Sequence, residues 1–285
     1  MAPEISPNEP AIRLGFFLGV FALVALWEQL TPRRARSISR WQRWPGNLGV
    51  ALLDTLLTRI IAPTGAVGFA MLAESRGWGA LHFVAWPTWL ELLIALLCLD
   101  LAIYLQHRAF HFVPALWRLH RMHHADLEFD VTTGARFHPL EILLSLAIKF
   151  IVIVPLGASS LAVLVFEIAL NATAMFNHGN VRLPASVERA LRWLVVTPDM
   201  HRVHHSVVRR ETDSNFGFNF PWWDHVFGTY RPQPAAGYEG MTIGLHEFRS
   251  PRELRLNRML TQPFRDEQAL DTTSSAAKPS LPKEN

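Results

Sequence analysis

Residues 89–124 read WLELLIALLCLDLAIYLQHRAFHFVPALWRLHRMHH, an apolar run, Trp89–Leu105, that passes straight into two histidine clusters. A run of this length is near the minimum for a helix that crosses the hydrocarbon core of a bilayer. The stretch therefore decides the fold: a membrane helix that delivers imidazoles to its own end. HRAFH sets His107 and His111 one helical turn apart on the same face. HRMHH adds His120, His123 and His124 at spacings i, i+3 and i+4, which again share a face, and HRVHH repeats the pattern at His201, His204 and His205. With 13 His in 285 residues, three histidines at three fixed positions arise by chance roughly once in 10^4 starts. Two such clusters in one chain are no accident of composition.

Neutral imidazole ligates iron, zinc, copper and nickel, and one ion takes about four to six ligands. His107, His111, His120, His123, His124, His178, His201, His204 and His205 are too many for one ion and suit two. Buried without metal, they would leave many ring nitrogens to satisfy. Each cluster carries arginine after its first histidine (Arg108, Arg121, Arg202). The HExxH arrangement of zinc proteases, whose glutamate is the general base, is therefore missing. An all-imidazole shell leaves metal charge uncompensated, and the acids placed to support it are Asp100, Asp126, Glu141, Asp199 and Asp224. His82, His225 and His246 stand alone and read as ordinary core histidines.

Half of the chain is hydrophobic and only 18% is charged, against ~25% in a typical soluble domain. Ten Trp and eighteen Phe suit a protein at a lipid–water interface. A single cysteine, Cys98, excludes disulfides and thiolate clusters. A net charge of +3 gives no support for nucleic acid. The basic residues gather at Arg33–Arg43, beside a hydrophobic segment, where an anionic leaflet is the natural partner.

The apolar segments then organise the chain. The first, roughly Leu14–Leu30, is followed by its charges, the reverse of a cleavable signal peptide, and reads as a retained anchor with its C-terminal end in the cytoplasm. The second runs from about Leu48 to Leu72, interrupted by Asp54, Arg59 and Pro63, and the third is Trp89–Leu105. The fourth and fifth, Ile142–Leu156 and Ser159–Phe176, joined by a PLG turn, read as a hairpin that crosses fully or in part, with buried core helices as the alternative. This order brings every histidine cluster to one membrane face. The expected architecture is an all-α integral membrane helical bundle of about four to five apolar segments, with a cytoplasmic helical His-rich cap for two metals. Residues 1–46 form the anchor and basic juxtamembrane segment, 47–247 the working domain with its histidine boxes at 107–124 and 178–205, and 248–285 a polar, disordered tail.

The motifs RWPGNLG, DLAIYLQHRAFH, PALWRLHRMHH, TTGARFHPLE, FNHGNVRLP, TPDMHRVHHS, SNFGFNF and FGTY resemble the bacterial branch of the fatty acid hydroxylase/sterol desaturase superfamily. The resemblance covers about Trp41 to Leu245 and is specific for the superfamily, not for a substrate. It implies a membrane-bound, non-haem di-iron oxidoreductase that hydroxylates or desaturates a C–H bond of a lipid (sterol, fatty acyl or related), with O2 as co-substrate. The ligand set it implies is the nine histidines above, with His138 of RFHPLE as a tenth. One departure is His225, where relatives carry arginine, which reads as a neutral substitution near the interface.

Two iron ions are thus the implied cofactor, with zinc as the alternative occupant. No GxGxxG motif follows a strand, so electrons are expected from a separate carrier or reductase. Arg108, Arg118, Arg121, Arg182, Arg189, Arg192 and Arg202 would offer it a docking surface, with lipid headgroups as the competing partner. The lipid substrate is expected from the bilayer, past Trp117 and Trp193. Loaded with zinc, the same fold would serve as a lipid hydrolase or isomerase, and a metal store is the non-catalytic reading. The expected location is the bacterial inner membrane or its equivalent, with the site facing the cytoplasm.

Overall fold

The computed structural model describes residues 9–265. Its principal helices are α1 (Glu9–Leu30), α2 (Arg40–Ile61), α3 (Gly65–Arg76), α4 (Thr88–Phe112), α5 (Pro114–His124), α6 (Pro139–Leu156), α7 (Ser160–Asn177), α8 (Ala185–Leu191) and α9 (Pro198–His204). Five segments are long and apolar enough to cross a membrane: Glu9–Leu30, Arg40–Phe83, Thr88–Phe112, Pro139–Leu156 and Ser160–Asn177. Leu14, Phe16, Leu18, Leu23, Leu26 and Leu30 are all exposed on α1, a surface that lipid, not water, accommodates. The chain is an all-helical integral membrane bundle. With 18 residues each, α6 and α7 rise about 27 Å, just under the ~30 Å hydrocarbon thickness.

Punctuation in the sequence places the breaks. Pro63 separates α2 from α3, so the second apolar stretch is one long helix and a short one. Pro114 at the first turn of α5 stops α4 and folds the HRMHH helix back on HRAFH. Gly157 ends α6 in the left-handed region at φ 72°. A side chain at Gly79 would meet the Gly157 backbone at 2.1 Å, so the chain crosses itself there without one. The apolar interior is built from α3, α4, α6 and α7, around Ala70, Leu99, Ile153, Ala162 and Phe166. α1 lies alongside α7 in the same direction: Arg13 reaches Glu167 at 2.6 Å near one end, and Glu28 accepts from the Asn180 N–H at 2.9 Å at the other.

Three expectations need correction. The boundary at 46/47 falls inside α2, which begins at Arg40, capped by Ser39. The basic cluster does not face a leaflet as a whole, because Arg43 is fully buried against Asp126 and Asp130 (2.7 and 2.5 Å) and Arg40 pairs with the buried Glu28 at 2.6 Å. Residues 248–265 are not a loose tail. Leu254 and Met259 are buried beside α2, and Arg265 pairs with Glu253. Apolar residues dispersed among charges dock this segment where periodicity gave no signal. The expected disorder further along falls outside the described residues.

Candidate metal centre

Nine of the ten histidines proposed from sequence meet at one end of the bundle, in two groups. His107, His111, His120, His124 and His204 form the first, and His123, His178, His201 and His205 the second; within each group one nitrogen from every ring lies within 4.8 Å of those of the others. The HRxHH boxes are divided between them. In α5 the i, i+4 pair His120 and His124 joins the first group and His123 the second. At α9 the pair His201 and the C-cap residue His205 joins the second and His204 the first. The three histidines of a box therefore do not act as one face. Positions i+3 and i+4 are about 100° apart on a helix, enough to straddle two centres.

Six of the nine outer nitrogens are held by fixed partners. His107 Nδ1 donates to Phe216 O (2.8 Å), His204 Nδ1 to Ser214 O (2.7 Å), His178 Nδ1 to Ala174 O (2.7 Å) and His123 Nδ1 to Arg136 O (3.2 Å). Glu141 Oε1 lies 2.7 Å from His120 Nδ1, and Asp213 Oδ1 3.2 Å from His111 Nδ1. A backbone carbonyl only accepts, so the four carbonyls fix the proton on Nδ1 of His107, His123, His178 and His204 and turn their Nε2 lone pairs inward. His123 Nε2 and His178 Nε2 then face each other at 3.1 Å, and His178 Nε2 and His201 Nε2 are equally close. Between His123 and His178 no hydrogen is left to bridge the two lone pairs. The nitrogens His111 Nε2, His204 Nε2 and both of His124 and of His205 are buried with no partner. Such an arrangement fits cations and little else. Burial holds His120 and His178 down to about 3, in the neutral form that ligates.

His138 is not brought to either group. Its Nδ1 caps α6 by accepting from Leu140 N–H at 3.2 Å, and its Nε2 lies 3.2 Å from Leu260 O. His82, His225 and His246 are exposed, not core residues, and His225 stacks on Tyr230 and Trp193. Of the five acids proposed from sequence, only Glu141 touches an imidazole. Asp100 and Asp224 hold the 216–223 loop that carries Phe216, through the N–H groups of Phe220, Phe216 and Gly217. Asp126 pairs with Arg43, and Asp199 with Arg33 at 3.0 Å. Asp213 was missed, since it lies in RRETDSN with no spacing relation to any box. Two box arginines are buried supports, unavailable for docking: Arg121 binds the carbonyls of Gln262 and Arg265, and Arg202 that of Gly179. Arg118 donates to Pro263 O and Arg192 to Glu188, while Arg182 and Arg189 remain exposed. Trp117 packs on the His111 and His124 rings, and Trp193 is exposed.

Fold and site together define a helical membrane protein with a paired, all-imidazole centre at the end of its bundle. The fatty acid hydroxylase family model matches residues 92–229, the segment that contains all nine clustered histidines. The chain is 30% identical over 238 residues to an ornithine lipid hydroxylase of Rhizobium tropici, covering 79% of this chain and 70% of that protein. It is 27% and 26% identical to alkylglycerol monooxygenases of Xenopus tropicalis and Homo sapiens, over 57% and 54% of this chain and 34% of each of theirs. No solved structure matches the chain. The chain belongs to the fatty acid hydroxylase family, whose relatives here are lipid hydroxylases and monooxygenases by name.

Proposed function

We propose that the chain is an O2-dependent di-iron hydroxylase of a polar membrane lipid. His107, His111, His120, His124 and His204 would hold one iron, and His123, His178, His201 and His205 the other. When bound, the pair supplies the redox chemistry that activates O2. The overall change is R–H + O2 + 2 e⁻ + 2 H⁺ → R–OH + H2O, with the electrons delivered by a separate one-electron carrier at the cytoplasmic end. The relatives are named hydroxylases and monooxygenases, which favours added oxygen over a new double bond.

The observation that carries the reading is the convergence of nine buried imidazoles in two groups, with six outer nitrogens fixed by protein partners and buried nitrogens of His111, His124, His204 and His205 left without one. The chain's own contribution is positional. Backbone carbonyls hold the tautomers of four rings, the carboxyl groups of Glu141 and Asp213 orient His120 and His111, and complete burial of the rings keeps bulk water away.

The test is metal content of protein purified in mild detergent, together with 18O2 labelling of lipids in a heterologous bacterial host. About two irons per chain and one 18O atom in a lipid product are expected. No stoichiometric metal after reconstitution, or zinc with an activity indifferent to O2, would overturn the proposal.

A further inference from the structure

Six aromatic side chains pack on the clustered imidazoles, and they do not do so alike. Phe216 touches His107, His111 and His204, all of the first group, while Phe129 touches His178, His201 and His205, all of the second. Trp117 and Phe110 contact first-group rings alone. Phe137 and Phe218 straddle both groups. Phe137 lies flat on His123 (centroids 4.4 Å apart, 10° between planes) and 6.1 Å from His120. Phe218 is 5.0 Å from His107 and 5.9 Å from His201. Among the described residues these two are also the only aromatics on the centre that belong to the apolar interior of the bundle, with Ile103, Leu146, Leu170 and Ala174.

The other sides of the centre are occupied. The loop carrying Asp213, Ser214 and Phe216 binds the outer nitrogens of His111, His204 and His107, and Phe129 covers the second group. An acyl chain is apolar, and the bond to be oxidised must reach a point shared by both ions. The side that is apolar, shared and continuous with the apolar interior of the bundle is the one formed by Phe137 and Phe218. Resting on the functional reading above, we infer that Phe137 and Phe218 are the positioning residues for substrate: they form the floor against which the lipid chain stops and so set which carbon is hydroxylated.

Their size then controls the depth of insertion. Phe218→Ala and Phe137→Ala lower the floor, and Phe218→Trp raises it. A difference of one methylene in an apolar site is worth about 10- to 200-fold in discrimination. The experiment expresses wild type and variants in a heterologous bacterial host, measures metal per chain, and locates the 18O-labelled hydroxyl by fragmenting the lipid. Phe129→Leu serves as the control, because it removes a ring from the imidazoles without touching the floor. The expected result is retained metal, the main-to-neighbouring isomer ratio lowered about tenfold or more in the alanine variants, an opposite displacement in Phe218→Trp, and an unmoved hydroxyl in the control. An unmoved hydroxyl in all three floor variants with metal retained overturns the inference. So does loss of metal in both alanine variants, which would make the rings supports for the ligands. An iron-loaded wild type that labels no lipid overturns the functional reading itself, and this one with it.

Discussion

Glu141 Oε1 lies 2.7 Å from Nδ1 of His120, so the first turn of a membrane helix carries the carboxylate that orients a first-group imidazole. Among the described residues no other acid on the five spans touches an imidazole of the clusters. An outer partner of this kind fixes the ring and raises its basicity, and its loss typically weakens metal binding about 10–100-fold. Glu141→Ala is expected to weaken the first ion by that amount and leave the second unchanged. Titration of the metal-free protein with ferrous iron, read as two binding steps, checks this. Equal weakening of both steps would contradict the division of the centre.

The division of the boxes makes a second prediction. His111 serves the first group alone and His178 the second. Each alanine variant is expected to lower bound metal from about two ions per chain to about one, and the double variant to abolish it. Elemental mass spectrometry on detergent-purified protein measures the ratio. Full loss in either single variant would mean that the two groups hold metal only together.

Much of this was legible in the sequence, and the limits are physical. The apolar runs gave the spans, because a helix in lipid must be apolar over its length. Spacing found eight imidazoles, since i, i+3 and i+4 neighbours are a local property, and His178 was found from its place at the end of the fifth apolar run. Spacing did not reveal that His123 and His204 part from their own boxes, because that depends on where a second helix lies. The partners of His107, His123, His178 and His204 are backbone carbonyls, which every residue possesses. Arg43 looked like one of several juxtamembrane cations, and only the fold brings Asp126 and Asp130 to it. His138 matched a family motif but caps a helix, a role that any acceptor before Pro139 can take.

Arg43 gives the stability prediction. Its guanidinium is fully buried and binds Asp126, Asp130 and Thr133, and Asn47 also donates to Asp126. Asn47 Oδ1 in turn accepts from Arg136, whose own carbonyl holds His123. Removing one partner of a buried pair strands the other, at about 3–5 kcal/mol. Arg43→Met is expected to destabilise by that amount, and Arg43→Lys by less, because lysine keeps the charge but not the forked donors. Residual monodisperse protein after a temperature series reports the difference. An unshifted profile for Arg43→Met would remove the network from any role in holding the site.

Gly134 tests how tightly the second group is built. A Cβ at this position would lie 2.5 Å from Ala174 O and 3.3 Å from His178 Nδ1, the two atoms whose hydrogen bond orients His178. Overpacking of this kind typically costs about 1–3 kcal/mol, and the backbone oxygen cannot rotate aside as a flexible side chain would. Gly134→Ala is therefore expected to displace the end of α7, weaken the second ion and leave the first in place. Combined with His178→Ala it should lower bound metal no further, because both changes act through the same ligand. Additive losses in the double variant would show that Gly134 supports the centre by a route other than His178.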